Sequence, residues 1–77
     1  VAQAYILIQT EVGKATTIAE RIRQLPGVVT AEDVVGPYDV VVRIDGRADS
    51  GLSPVVAGIQ QVAGVTRTLM CEVPTPA

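Results

Sequence analysis

One seven-residue segment occurs twice in this chain. Ile22-Arg23-Gln24-Leu25-Pro26-Gly27-Val28 returns 37 residues later as Ile59-Gln60-Gln61-Val62-Ala63-Gly64-Val65, with four of seven positions identical. In both copies an amphipathic run ends at a glycine and a valine-led stretch follows. Helices commonly end on glycine, because a residue without Cβ enters the left-handed region at little steric cost. The repeat therefore reads as helix, stop, strand, used twice. Such a duplication points to a fold in which two similar halves share one core.

The residues around the repeat complete each half. Ala2 to Glu11 is rich in strand formers, with Ala4, Ile6 and Ile8 on one parity and Tyr5 and Leu7 on the other, so both faces are expected to be partly buried. Gly13 ends that strand. Ala15, Ile18, Ala19, Ile22 and Leu25 follow the 3-4 spacing of one helix face. Thr17 with Glu20, or Thr16, is the expected N-terminal cap. Pro26-Gly27 stops the helix. Val28 to Val35 is a second strand, Gly36-Pro37 a turn, and Tyr38 to Asp45 a third strand with Tyr38, Val40, Val42 and Ile44 on one parity. The short gap predicts a hairpin. Gly46 to Ser53 is a loop. Leu52, Val55, Val56, Ile59 and Val62 mark a second helix, with Pro54 in its first turn and Gly58 placed for close packing on the sheet. Val65 to Val73 is a fourth strand, and residues 74–77 form a short proline-containing tail. The pattern is β-α-β-β-α-β within a single domain spanning residues 1–77. The predicted fold class is α+β: a ferredoxin-like sandwich, a four-stranded antiparallel sheet with two helices on one face.

That architecture leaves the other sheet face bare. Its expected apolar residues are Tyr5, Leu7, Val41 and Met70. Four strands about 20 Å long at ~4.8 Å spacing present roughly 400 Å², and a patch of that size marks an interaction surface. The length of 77 residues points the same way, because a chain this short buries only about 60–65% of its unfolded surface. Self-association is the natural source of additional core. The chain is 48% hydrophobic with 14 valines, and its one cysteine, Cys71, cannot make an internal disulfide. Cys71 reads as a small buried hydrophobe.

Other classes are disfavoured. There are 6 basic and 8 acidic residues, the pI is near 4.8, and the basic residues are dispersed, so direct nucleic-acid binding is not expected. The longest apolar run, Ala4 to Ile8, is far below the ~20 residues of a membrane span. Val1 opens an apolar stretch with no basic n-region, which predicts no signal peptide. A cytoplasmic setting is expected. Histidine is absent, which removes the usual general base and any Ser-His relay. Glu32 and Asp33 are neighbours on a strand and point to opposite faces. Asp45 and Asp49 flank a loop without calcium-loop spacing. No catalytic residue, metal site or cofactor is implied.

Val35-Gly36-Pro37-Tyr38-Asp39 stands apart. Structurally it is a hairpin tip, in which Gly36 permits a tight turn, Pro37 fixes φ and Asp39 is solvated. The competing, functional reading is a ligand clamp. A turn offers backbone N–H groups to a carboxylate, an aspartate holds an ammonium, and a tyrosine hydroxyl serves either role. Gly36, Tyr38 and Asp39 are thus the candidate ligand-binding residues, and a zwitterionic amino acid is the ligand they suit.

The chain resembles the effector-binding domain of the Lrp/AsnC (feast/famine) transcription regulators over nearly its whole length. The likeness rests on Leu25-Pro26-Gly27-Val28-Val29, on Gly36-Pro37-Tyr38-Asp39-Val40-Val41-Val42, and on Val62-Ala63-Gly64-Val65-Thr66-Arg67-Thr68. It implies dimers formed through the sheets, assembly into rings such as octamers or decamers, and amino-acid effectors bound between dimers near Gly36, Tyr38 and Asp39. There are two departures. The helix-turn-helix that normally precedes this domain is absent from the sequence, which predicts either a stand-alone member able to co-assemble with full-length relatives or a piece of a longer chain cut just before Val1. Met70 stands where the last strand commonly carries Thr or Ser. Two alternatives accompany this reading. One is a dimeric α+β barrel enzyme. The other is a purely structural oligomerisation module.

Overall fold

The computed structural model describes residues 2–46 and 51–74. The elements are β1 (Ala2–Thr10), α1 (Ala15–Arg23), β2 (Val28–Asp33), β3 (Val40–Gly46), α2 (Ser53–Gln60) and β4 (Val65–Glu72). The strands form one antiparallel sheet in the order β2-β3-β1-β4. This is the ferredoxin-like βαββαβ arrangement the sequence predicts. Part of the predicted loop (residues 47–50, with Asp49), Val1 and the tail at 75–77 lie outside the described residues.

The core follows from periodicity. Ala4, Ile6 and Ile8 of β1 alternate inward and are fully buried, as are Val40, Val42 and Ile44 of the adjacent β3. Ile18, Ala19 and Ile22 of α1 close over them, with Leu52 and Ile59 from the α2 side. Ala15, Leu25, Val55, Val56 and Val62, the remaining predicted helix positions, pack around this cluster.

The repeated glycines have a definite packing role. Gly27 has φ +87°, and a Cβ built there would lie 2.5 Å from Val55 Cγ2 of α2. Gly64 has φ +96°, and its Cβ would lie 2.7 Å from Ile18 Cδ1 of α1. The glycine of each half is therefore packed by the helix of the other half. Left-handed backbone and close approach both select glycine at these two turns.

Local details depart from the sequence reading. Neither Thr16 nor Thr17 caps α1. Its N-cap is Lys14, without a side-chain cap bond, because Gly13 at φ +78° turns the chain and the Lys14 N–H donates to Glu11 O at 3.1 Å. The Thr16 hydroxyl instead donates to Asp33 Oδ2 at 3.1 Å, tying α1 to the end of β2. Strand β2 stops at Asp33, two residues early, and Tyr38 lies before β3. The reason is a longer link, closed by the Val34 N–H on Asp39 O at 2.9 Å. Gly58 does not serve close packing on the sheet: a Cβ there would meet only Leu25 Cδ1, at 3.9 Å.

The open face also needs correction at one position. Tyr5, Leu7 and Val41 lie on it as expected. Met70 is paired with Ile6 in register and so faces the helix side, while Leu69, paired with Leu7, takes the open side. Leu69, Met70 and Cys71 are three consecutive apolar residues, so alternation within β4 does not mark its faces. Cys71 is paired with Tyr5 and is exposed on the open face of the single chain.

Two glycine substitutions should move stability in opposite directions. Gly58→Ala places a methyl in ordinary contact within a helix and should stabilise the chain by about 0.5–1 kcal/mol. Gly64→Ala forces a side chain into left-handed backbone against Ile18 and should cost about 1–3 kcal/mol. Denaturant titration of both variants measures the signs, and a neutral Gly64→Ala would refute the packing role given to that turn.

Candidate ligand hairpin and open sheet face

The link from Val34 to Asp39 leaves the sheet where β1 ends. Its base is held by backbone and side chain together. The Asp39 N–H donates to Ile8 O at 2.8 Å. The Asp39 carboxylate Oδ2 accepts the Thr10 N–H at 2.8 Å. Gln9 Nε2 donates to Pro37 O at 3.1 Å, and the Thr66 hydroxyl donates to Gln9 O at 3.1 Å. A β-bulge between Gln9 and Thr10 lies here, and Asp39 supplies the acceptor that the irregular ladder leaves to the Thr10 N–H.

All three predicted site residues share this link, and the structure refines each. Asp39 is half-buried, so the expectation of a fully solvated carboxylate is corrected: one oxygen braces β1. Tyr38 is also half-buried. Gly36 is exposed, its φ is not among the positive values, and a Cβ there would meet nothing within 4 Å. The tight turn expected to require this glycine is therefore absent. Val35 beside it is fully exposed. The closing bonds use the N–H groups of Val34 and Asp39, and those of Gly36 and Tyr38 take no part in them. Gln9, Thr10 and Thr66 are not legible from sequence as supports, since their part depends on the bulge and on strand order.

The open sheet face is the second feature. Tyr5, Leu7, Val41 and Leu69 form its apolar centre, and Tyr5 and Leu69 are 41% and 46% exposed. Arg43 stands opposite Tyr5 in register, with its guanidinium carbon 5.9 Å from the ring centroid.

A groove of about 410 Å³ runs between α2 and β4, lined by Leu52, Val56, Ala57, Met70 and Val73 together with polar Gln3, Gln60 and Glu72. It involves the start of β1 and the end of β4, so it opens away from the hairpin. Among the described residues no cluster of three or more His, Cys, Asp or Glu side chains could hold a metal ion. No described helix is long and apolar enough to cross a membrane.

Comparison with known proteins agrees with this architecture. The family model of the Lrp/AsnC ligand binding domain matches residues 3–71. A solved protein of Thermus thermophilus is 27% identical, with a TM-score of 0.83, over 100% of this chain and 98% of that one. A transcriptional regulator of Neisseria meningitidis, solved as an L-Met complex, shares the fold with a TM-score of 0.75 at 18% identity, over 96% of this chain and 50% of its own. Homocitrate synthase of Sulfurisphaera tokodaii is 29% identical over 68 residues, which is 87% of this chain and 15% of that enzyme. The chain thus spans a small part of the curated relative it matches.

The bracing role of Asp39 has a direct test. Asp39→Ala removes the acceptor of the Thr10 N–H and should cost about 1–2 kcal/mol of stability. Asp39→Asn retains an acceptor oxygen and should cost less. Hydrogen exchange should show faster exchange of the Thr10 amide in Asp39→Ala, and an unchanged rate there would contradict the assignment.

Proposed function

The chain belongs to the Lrp/AsnC ligand-binding domain family, and on that premise we propose that it is the effector-binding and oligomerisation domain of a transcriptional regulator of this type, with an amino acid as effector. The observation that carries this reading is the hairpin tip. Its base is firmly braced, yet the single chain gives no reason for Gly36 or for a fully exposed Val35. Residues that the fold does not require are explained by something arriving from outside. Gly36 and Tyr38 offer N–H groups to a carboxylate, and Asp39 offers its second oxygen to an ammonium. The L-Met complex of the Neisseria regulator supports the ligand class.

Assembly belongs to the same proposal. The open face is the surface through which two copies form a dimer, and burying roughly 800 Å² across two such faces would favour association by ~20 kcal/mol gross before its entropic cost. The hairpin and the Met70 groove lie at opposite ends of the sheet. A ligand touching both would sit between copies, as in a ring of dimers. Met70 in place of Thr or Ser makes the contact from β4 apolar and favours an effector with an apolar side chain. Residues 1–77 would form one effector-binding domain working in the cytoplasm and able to co-assemble with other members of the family, and with a pI near 4.8 this domain would not itself touch DNA. The homocitrate synthase match supports a second reading, in which the same sensing domain serves an enzyme.

A thermal-shift screen against the twenty amino acids tests the proposal, because a ligand that binds only the folded state raises the melting temperature. An apolar amino acid is expected to give the largest rise. Asp39→Asn should then lose about 1.5–3 kcal/mol of affinity in calorimetric titration through the lost charge-assisted bond. Equal binding by wild type and Asp39→Asn, or a change in assembly alone, would make the hairpin a joint between subunits and not a sensor.

A further inference from the structure

The internal repeat builds one cleft twice, each between a glycine turn and the other half's helix. The first cleft, about 150 Å³, is lined by Lys14, Thr17, Ile18 and Arg21 with the Gly64 turn. The second, about 220 Å³, is lined by Gly51, Pro54, Val55 and Gly58 with the Gly27 turn. The same offset of 37 residues carries Lys14 to Gly51, Thr17 to Pro54, Ile18 to Val55, Arg21 to Gly58, and Gly27 to Gly64. Only the packing pair is retained, Ile18 over one glycine and Val55 over the other. The polar and charged positions of the first cleft are glycine or proline in the second, where Leu25 and Pro26 add further apolar wall. Gly58 is the sharpest difference. Glycine is among the poorest residues for a helix interior, and packing does not ask for it here, since a Cβ would meet only Leu25 Cδ1, at 3.9 Å. A longer side chain at this position would occupy the cleft, and its absence leaves the space open.

The floor of the second cleft holds a polar anchor. The Asp45 N–H donates to Gly27 O at 2.8 Å. The N–H and C=O of one residue in an antiparallel strand point to the same side, so the Asp45 carbonyl also faces the Gly27 turn. It accepts no bond from the Gly27 N–H, and it stands 3.1 Å from where a Gly27 Cβ would be. The Asp45 side chain alternates to the opposite sheet face, so the described lining presents an acceptor and no charge. We propose that this cleft binds a small neutral aliphatic molecule with one hydrogen-bond donor, a branched alcohol whose carbons pack on Leu25, Pro54 and Val55 and whose hydroxyl donates to Asp45 O. An apolar cavity of ~150 Å³ accepts a six-carbon ring, so the size is suitable. An ionised group would lose its water there without gaining a partner, which excludes a zwitterionic amino acid. The cleft lies at the end of β3 opposite the hairpin, and the inference does not rest on the effector reading of that hairpin.

Isoamyl alcohol is the probe, titrated into the isotope-labelled intact chain and followed by amide NMR. Saturable shifts in the millimolar range are expected at Leu25, Gly27, Val55 and Gly58, with none there from leucine. Isoamyl methyl ether, which lacks the donor, should bind several-fold more weakly. Gly58→Arg installs the residue of the other half and Gly58→Leu fills the space with carbon. Each should weaken binding at least about tenfold by taking up the volume, with circular dichroism confirming the fold. Should either fail to fold, Gly58→Ala replaces it and should weaken binding by a smaller factor. Absence of saturable shifts at these amides overturns the site, as does undiminished binding in the folded Gly58 variants. Equal binding of the ether, or leucine shifting the same amides, overturns the ligand class and the Asp45 anchor. Shifts that appear only once dilution has dissociated an assembly would mean that another copy covers the cleft, and would also overturn the proposal. The amides of Gly36, Tyr38 and Asp39 report amino-acid binding in the same spectra, so failure at one site is read separately from failure at the other.

Discussion

The packing of each half's glycine turn against the other half's helix is the contact on which the rest of this structure depends. Val55 of α2 fills the space over Gly27, and Ile18 of α1 fills the space over Gly64. Neither turn has room for a side chain, and both adopt left-handed backbone. The two helices are thereby fixed over the sheet by each other's stop signals, so neither half packs fully alone. This accounts for the internal repeat in physical terms. The glycine ends its own helix and also provides the seat for the other one.

Seating both helices on one side concentrates the core there. Ile6, Ile8, Val40, Val42 and Ile44 are all fully buried on that side. The opposite side keeps Tyr5, Leu7, Val41 and Leu69, and no helix or strand among the described residues lies above them. A sheet covered on one face normally turns a polar face to water. Here the uncovered face carries aliphatic and aromatic residues in its centre and Arg43, Asp45 and Glu32 around them. That composition suits protein contact better than water, and it is the physical ground for reading the face as an interface.

Much of the fold is legible in the sequence because it is periodic. The spacing of Ala15, Ile18, Ala19 and Ile22 gives α1, and the alternation of Val40, Val42 and Ile44 gives the inward face of β3. The strand count and order follow from the repeat and from the handedness of crossovers. What the sequence leaves open lies where local patterns are silent or compete. Three apolar residues in succession in β4 conceal that Met70 faces inward, and only pairing with β1 decides it. Thr16 has the chemistry of a cap, yet Asp33, distant in sequence, takes its hydroxyl. The candidate hairpin is visible by residue type at Gly36, Tyr38 and Asp39. Its supports are not, because the bond from the Thr10 N–H to Asp39 depends on a bulge and on the adjacency of β1 and β3.

Those supports also connect the two candidate surfaces. Along β1 the open-face residues are Gln3, Tyr5, Leu7 and Gln9. Tyr5 and Leu7 belong to the apolar centre of the open face, while the next residue on the same face, Gln9, holds Pro37 O of the hairpin. The following amide, Thr10 N–H, is held by Asp39. One strand therefore runs from the open face to the base of the candidate hairpin without an intervening loop. Burial of Leu7 in an assembly would restrict Gln9 two residues away, and with it the hairpin base. In the other direction, a ligand held by the second Asp39 oxygen would draw on the same carboxylate whose Oδ2 holds the end of the β1 ladder. Coupling between ligand and assembly then needs no large motion. It requires only that both use the same end of one central strand, and differential affinity for the two states of that strand end is what linkage demands.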